Sequence, residues 1–345
     1  MSQTVPESSS NNPTGTTVEA SASALWLETI YGPIKEHLVE VENVLVRELK
    51  SDAPFVEELL EHSRKLGGKR MRPVFLLLSG GACGSLTEKH QYMAAALELI
   101  HTATLIHDDV LDHAETRRHL PTANSKWGSK VSVLLGDYLF THSFHVASFA
   151  DSVEALRILA NASNRVCAGE MRQNAWVGNF ELSEAEYLLM IADKTAELCS
   201  CGCRIGALLS GADENLANGF EEYGRNLGVA FQIIDDVLDI VGQTNKVGKT
   251  LGTDIINQKP TLPLIHCLAN LPSEKRQELL DLLHSDERSV FKVMPYLEAT
   301  DSLGYASSVA TAHANRALEF VKALPESPYS KALASVADFV LERRH

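Results

Sequence analysis

Apolar residues recur at steps of three and four positions through most of the chain, which is the period of a helix packed on one face. The first such series is Leu27, Ile30, Ile34, Leu38, Val41, Leu45 and Leu49. Ser85 and Glu88 have the spacing of a capping box, which predicts a helix that continues to about Asp112. Further periodic segments cover roughly 129–149, 153–178, 183–211 and 216–241. Alternating strand patterns do not stand out, so the sequence predicts an all-α bundle.

The composition of the 345 residues, 45% hydrophobic and 22% charged, is typical of a soluble globular protein. A formal net charge of −14 argues against nucleic acid as a partner. No run of about 18 uncharged apolar residues predicts a membrane span. Residues 1–23 are rich in small polar residues and lack the pattern of a signal peptide. We therefore predict a disordered tail, a single helical domain over 24–345, and a cytoplasmic location.

Three of the six cysteines, Cys199, Cys201 and Cys203, are spaced two apart. Zinc ligands are usually arranged as two separated pairs, and side chains two apart on a helix diverge by about 200°. These cysteines are therefore predicted to be small buried apolar side chains rather than metal ligands.

One acidic motif occurs twice. Asp108-Asp-Val-Leu-Asp112 and Asp235-Asp-Val-Leu-Asp239 are identical pentapeptides that begin 127 residues apart (235 − 108). On a helix, the first and fifth residues of each lie on one face. A single acidic pentapeptide is usually a solvated surface, but like charges at this spacing destabilise a bare helix. Two copies therefore indicate a cation-binding function.

Carboxylate oxygens favour a hard ion such as Mg²⁺, which is commonly shared with substrate phosphates. Basic residues follow each motif: Arg117 and Arg118 after the first, and Lys249 and Lys259 after the second. A third basic segment, Gly67-Gly-Lys-Arg-Met-Arg-Pro73, brings Lys69 and Arg72, although a plain basic turn is an alternative interpretation of it. Together these residues predict a magnesium and diphosphate site.

The motifs resemble those of trans-prenyl diphosphate synthases, in the order of that family, from about residue 30 to 342. The similar segments are the Gly67–Pro73 segment, both Asp-rich motifs with their cations, Gly136-Asp-Tyr, Gly169-Glu with Gln173, and Lys194-Thr195. The resemblance implies an isoprenoid-synthase-type helical bundle around a central apolar cavity. It also implies a homodimer that condenses isopentenyl diphosphate with an allylic diphosphate primer.

The resemblance further implies a role for each matching residue. Two or three Mg²⁺ ions are expected on Asp108, Asp109, Asp112 and Asp235, with Asp236 and Asp239 in support. The allylic diphosphate is expected to contact Arg117, Lys194, Lys259 and Lys249. Isopentenyl diphosphate is expected to contact Lys69, Arg72, His101 and Arg118. Thr195 and Gln232 are expected beside the developing cation.

Two positions depart from the family pattern. His119, after the arginine pair, and Gln258, before the last lysine, stand where the family usually has glycine. Both are predicted to lie in loops, so we expect a changed loop shape rather than lost activity.

In this family the product grows along a tunnel beside the first Asp-rich helix, and residues one turn before the motif form its floor. Here those residues are the small Ala103 and Thr104, which predicts a long product of the octaprenyl type. A long product would give at most transient membrane contact. The alternatives are a floor elsewhere in a short-chain synthase, a non-catalytic partner subunit, a terpene cyclase and a purely structural helical protein. The intact second motif and the isopentenyl-site residues disfavour the last three.

Overall fold

A computed structural model describes residues 26–242 and 251–342. The predicted tail over 1–23 and Lys249 lie outside the described residues. Residues 26–31 are helical and lead into a 3₁₀ turn, Gly32–Ile34. The first half of the chain then forms α1 Lys35–Glu48, α2 Pro54–Lys65, α3 Met71–Cys83, α4 Glu88–Leu111, β1 Thr116–Arg117, β2 Leu120–Pro121, α5 Ala123–Trp127, α6 Ser129–Ser148 and α7 Val153–Trp176.

The second half continues the helical pattern. It comprises α8 Glu184–Ile191, a π-helical turn Ala192–Ala196, α9 Glu197–Leu209, α10 Glu214–Val241, α11 Thr253–Ile256, α12 Leu262–Asn270, α13 Ser273–His284, α14 Val290–Ala299, α15 Ser302–Lys322 and α16 Pro328–Glu342. The described strands are two residues each and form one antiparallel hairpin. The prediction of an all-α fold is therefore confirmed.

The helix that carries the first Asp-rich motif begins two residues later than its predicted cap. Its N-cap is Thr87, whose backbone N–H donates to His90 Nδ1 at 3.1 Å. The predicted capping box of Ser85 and Glu88 is therefore wrong. His90 is buried, and its other ring nitrogen lies 2.9 Å from Ser210 Oγ, so tertiary packing fixes the cap.

The buried apolar residues form one large cluster and one small one. The large cluster lies among α1–α10, α12, α15 and α16. The small cluster lies under the C-terminal helices and includes Phe180, Ile240, Ile255 and Leu264. Burying about 25 cal/mol per Å² of apolar surface makes such clusters the main stabilising contribution to the fold.

The two Asp-rich helices, α4 and α10, belong to the large cluster, and α9 packs mainly against α10 and α3 and also contacts α4. The Gly224 and Gly228 spacing allows α10 to pack closely on the preceding segment. A Cβ at Gly224 would lie 2.6 Å from the Cys199 carbonyl oxygen, and one at Gly228 would lie 2.5 Å from Ala196 Cα. The π turn and α9 are therefore held against the second Asp-rich helix.

The three closely spaced cysteines lie in α9, and all are buried. Burial raises the pKa of each thiol, well above its usual range for Cys201. They are small apolar packing residues, as predicted.

In the described part of the chain, no helix is both long and apolar enough to cross a membrane.

Candidate active site

Each carboxylate of the first Asp-rich motif is paired with a different cation. Asp109, only 1% exposed, accepts a hydrogen bond from Arg117 Nε at 2.8 Å. Asp112 Oδ1 lies 2.9 Å from Lys259 Nζ, and Asp108 Oδ2 lies 4.0 Å from Lys194 Nζ. Because these cations come from a hairpin, a distant loop and the π turn, three separate parts of the chain converge on α4.

Asp108 lies where a negative charge is costly. The pKa of its carboxyl is raised to about 6, chiefly by burial; Lys194 lowers the pKa, and Glu170 and Asp112 raise it. Burial lowers the pKa of Lys259, but Asp112, Asp254 and Glu170 raise it more, so the net pKa lies above its ordinary value. The site therefore holds a concentrated negative charge that its own lysines only partly offset.

The middle carboxylate of the second motif points into the protein interior. Asp236 Oδ2 accepts a hydrogen bond from the Tyr187 hydroxyl at 2.6 Å, and Oδ1 accepts one from Gln232 Nε2 at 2.8 Å. Burial and Asp254 raise the pKa of Asp236 well above its usual range. The side-chain oxygen of Gln232, Oε1, accepts a hydrogen bond from the Thr195 hydroxyl at 2.8 Å. Thr195, Gln232, Asp236 and Tyr187 thus form one hydrogen-bonded chain, with the amide orientation fixed at both ends.

The last carboxylate of the second motif fastens the segment that leads to Lys259. Asp239 accepts hydrogen bonds from the backbone N–H groups of Thr253 and Asp254 at 3.3 and 3.0 Å. The Lys259 N–H in turn donates to the Asp254 carbonyl oxygen at 2.9 Å. Asp235 is half-buried, one turn before Asp239 on α10.

The π turn brings Lys194 and Thr195 to the site. Lys194 Nζ forms an ion pair with Glu170 and lies near Asp108. Glu170 belongs to α7, whose Gly169 lets the turn approach, because a Cβ there would lie 2.6 Å from the Lys194 backbone nitrogen. π-helical turns are often found at functional sites.

Beside the acidic residues lies a cationic group built on the β1–β2 hairpin. Arg117 contacts Asp109, whereas the next residue, Arg118, donates from Nη1 to the Leu66 carbonyl oxygen at 2.6 Å. The Arg118 guanidinium packs directly on Gly68, where a Cβ would clash. Burial lowers the pKa of Arg118, and the neighbouring Arg117 charge lowers it further.

His101 lies on α4 about two turns before Asp108, next to this cationic group. Burial lowers the pKa of its imidazole well below the usual range, and the charges of Arg72, Arg118, Arg117 and Arg70 add to that effect. Four guanidinium groups around a neutral histidine form an electropositive site that suits a phosphate.

The three cations of the basic segment 67–73 have different surroundings. Arg70 adopts a left-handed backbone (φ 52°) and pairs with Glu42 and Glu98 at 2.5 and 2.8 Å, which ties the segment to α1 and α4. Lys69 is exposed, with Nζ 4.8 Å from the centre of the Phe339 ring. Arg72 Nε is buried and has no hydrogen-bond acceptor within the described residues.

The two departures from the family pattern lie at strained backbone positions. His119 has φ 63° and Gln258 has φ 53°, the left-handed region that glycine adopts without cost. Gln258 also donates from Nε2 to the Leu283 carbonyl oxygen at 3.1 Å. Both loops therefore keep the backbone geometry that glycine favours.

The predicted tunnel-floor residues lie on α4 as expected from their spacing. Ala103 is fully buried, and Thr104 is half-buried, with its hydroxyl donating to the His101 carbonyl oxygen at 2.8 Å. Their helix packs lengthwise on α6.

The donor set fits a hard divalent cation, since it consists of carboxylate oxygens with excess negative charge around Asp108. As placed, no three His, Cys, Asp or Glu side chains among residues 26–242 and 251–342 converge on a common metal position. The reason is visible in the pairs described above, in which lysine and arginine side chains hold the first-motif carboxylates.

Glu170 and Tyr187 contact site residues, and Asp193 directly precedes Lys194, yet the sequence assigned no role to any of the three. Glu170 follows a glycine in one of the motifs that carry the family resemblance, and that motif was the only indication of it. Tyr187 and Asp193 lie within an ordinary helical pattern, which gives no indication of their partners.

A family model described as polyprenyl synthetase matches residues 53–299, most of the chain. The chain belongs to the polyprenyl synthetase family. It is 34% identical over 308 residues to the octaprenyl diphosphate synthase of Haemophilus influenzae, covering 89% of this chain and 94% of that one. It is 38% identical over 314 residues to a short chain isoprenyl diphosphate synthase of Methanothermobacter thermautotrophicus, covering 89% and 96%.

A solved structure, the polyprenyl synthase from Caulobacter crescentus complexed with calcium and isoprenyl diphosphate, superimposes with a TM-score of 0.87 at 33% identity. The match covers 92% of this chain and 98% of that one. The chain is therefore a trans-prenyltransferase with the isoprenoid synthase fold, as the resemblance implied. The two relatives differ in product length, so family membership leaves the length of its product open.

Proposed function

We propose that this trans-prenyl diphosphate synthase makes a long-chain all-trans polyprenyl diphosphate of about C30–C50 by condensing isopentenyl diphosphate head-to-tail with an allylic diphosphate, the depth of its apolar pocket limiting the product. The observation that supports this proposal most directly is that Arg117 and Arg118 contact different groups. Consecutive in one hairpin, they extend to the acidic group around Asp109 and to the cationic group around His101. In this proposal, two diphosphate sites of different character lie side by side.

In this proposal the acidic group is the allylic site. Mg²⁺ ions, two or three per site, would be held by Asp108, Asp109, Asp112 and Asp235, and when bound they would neutralise charge on the diphosphate. Asp236 and Asp239 support this set, Asp236 through Gln232 and Asp239 through the loop that carries Lys259. The neighbouring structure with calcium and isoprenyl diphosphate supports a divalent cation together with this class of ligand.

Different side chains of the proposed site have different roles in the reaction. Lys194, Arg117 and Lys259, with Lys249, stabilise negative charge on the leaving diphosphate as its C–O bond breaks. Oxygen atoms of Thr195 and Gln232, fixed by their mutual hydrogen bond, face the positive charge that develops on the allylic carbon. Attack by the double bond of isopentenyl diphosphate, held by Lys69, Arg72, His101 and Arg118, forms the new C–C bond. Loss of a proton to the departed diphosphate completes the step.

Product length is proposed from the small side chains at Ala103 and Thr104, which would leave room for a growing chain beside α4. A second candidate function is the synthesis of a short-chain product, with another side chain closing the tunnel. The similarity to a short chain isoprenyl diphosphate synthase supports this candidate. Incubation with farnesyl diphosphate and labelled isopentenyl diphosphate, followed by chain-length analysis, separates the two. A stop at C20 would leave the reaction class intact and place the floor at another residue.

We also propose a homodimer in the cytoplasm, with at most transient membrane contact through the product. The exposed face of α6 supports the dimer, because it presents Val133, Leu134, Tyr138 and, just beyond the helix, Phe149 to the surface. Sedimentation of Leu134→Arg alongside the unchanged protein tests it. A monomer only in the variant supports a dimer through α6, and a monomer in both contradicts the proposal.

A further inference from the structure

The π turn that carries Lys194 and Thr195 is fastened at both ends by one arginine of α7. Arg165 donates from Nε and Nη2 to Asp193 Oδ1 at 3.0 and 2.9 Å, and its Nη1 lies 3.2 Å from Glu197 Oε2. Asp193 and Glu197 are each only 4% exposed. The arginine therefore bridges the residue before Lys194 and the residue that follows the turn.

A second arginine completes the contact from the same face of α7. Arg172, seven residues and about two helical turns after Arg165, donates to Asp193 Oδ2. Gly169 lies between the two arginines, where the backbone of the turn passes too closely for a Cβ. Arg165, Gly169 and Arg172 thus form a docking stripe for the turn.

The turn has a conformation that needs such support. A π-helical turn holds one extra residue compared with an α-helical turn, and the hydrogen-bond geometry is rarely stable alone. One residue corresponds to about 100° of rotation in a helix. Relaxation to a regular helix would therefore swing Lys194 away from Asp108 and Glu170, and Thr195 away from Gln232.

We infer that Asp193 is a positioning residue, which sets the π turn so that Lys194 and Thr195 face the allylic substrate. The inference rests on the proposed function for the roles of Lys194 and Thr195. Asp193 itself faces Arg165 and Arg172, so it acts through the backbone of the turn and not through contact with substrate.

The test compares Asp193→Asn with Glu221→Gln. Glu221 accepts hydrogen bonds from Arg204 and Arg225 on the neighbouring face of the bundle and does not bond to the turn. We expect Asp193→Asn to lower kcat and raise KM for the allylic primer by about 10-fold or more, because a displacement of about 1 Å can cost up to about 100-fold. KM for isopentenyl diphosphate should stay unchanged, and Glu221→Gln should lower the unfolding temperature without changing either KM.

Arg172→Gln provides a second variant, since its side chain is 48% exposed and its removal leaves Arg165 in place. It should show the same primer-specific change at smaller size. If both variants keep primer kinetics like those of Glu221→Gln, Asp193 is only a stabilising residue and the inference fails.

Failure of the proposed function shows separately, as absence of elongated product from the unchanged protein. In that case calorimetric binding of inorganic diphosphate with Mg²⁺ decides the inference: weakened binding in Asp193→Asn alone supports it, and equal binding overturns it.

Discussion

Lys259 Nζ lies 2.9 Å from Asp112 Oδ1, a contact between residues 147 positions apart in the chain. Lys259 follows the second Asp-rich motif, whereas Asp112 ends the first. Asp239 holds the residues just before Lys259 in place by accepting hydrogen bonds from the backbone N–H groups of Thr253 and Asp254. The two motifs are therefore joined through one lysine, which makes this contact a coupling between the two halves of the proposed allylic site.

Replacing Lys259 with glutamine removes the charge but keeps a polar side chain of similar length. We expect kcat to fall by about 10- to 100-fold, because a preorganised cation facing the leaving diphosphate is lost. Steady-state kinetics with saturating isopentenyl diphosphate measure the change. The matched control is Lys275→Gln, since the exposed Lys275 ammonium pairs at 2.6 Å with Glu278 on the same helix, α13. Equal activities of the two variants would contradict the role of Lys259.

Asp108→Asn should lose activity and yet stabilise the metal-free protein. The pKa of Asp108 is raised to about 6 from 3.8, so ionisation of this carboxyl disfavours the folded state. This penalty is absent below pH 3.8, grows as the pH rises, and is complete above about pH 6. The variant should gain about 2–3 kcal/mol of unfolding free energy at pH 8, since one pKa unit corresponds to about 1.4 kcal/mol.

Chemical denaturation in chelator at pH 8 and pH 5 measures this effect. The gain should shrink at pH 5, where the unchanged Asp108 is mostly protonated in the folded state. Asp286→Asn, a substitution at an exposed carboxyl, serves as the control. A gain that is the same at both pH values would contradict the assignment of the effect to Asp108.

His119→Gly should stabilise the protein by about 0.5–1 kcal/mol, because glycine removes the cost of a left-handed backbone and adds a smaller loss of chain entropy. His119→Ala keeps that cost and is the control. Gln258→Gly should gain less or lose stability, since it also removes the hydrogen bond to Leu283. Thermal unfolding of the three variants tests this order, and a gain for His119→Ala as large as for His119→Gly would argue against backbone strain.

Periodicity predicted the helical fold, and the repeated acidic motif together with the family resemblance predicted most of the residues that meet at the site. Asp108, Asp109 and Asp112 show their pattern because a helix places every fourth residue on one face. The π turn was not predictable, because the segment 183–211 has an unbroken helical pattern while the turn depends on Asp193, Arg165 and Gly169. The inward direction of Asp236 was missed for the same reason, since Tyr187 lies 49 residues away in sequence.

A graded series at Ala103 tests the proposed tunnel floor. Valine, leucine and tyrosine should shorten the product in the order of their volume if the side chain meets the growing end of the chain. Because Ala103 is fully buried, overpacking should also cost about 1–3 kcal/mol. Thermal unfolding therefore accompanies product analysis, and an unchanged product distribution in folded Ala103→Tyr would place the floor elsewhere.

We propose that this protein elongates prenyl chains in the presence of Mg²⁺ on adjacent acidic and cationic diphosphate sites. The most direct test of this proposal is incubation of the purified protein with Mg²⁺, farnesyl diphosphate and labelled isopentenyl diphosphate, followed by chain-length analysis. We expect a ladder of products ending at about C30–C50, abolished by chelator and by Asp108→Asn. Absence of any Mg²⁺-dependent incorporation would contradict it and would favour a non-catalytic partner subunit.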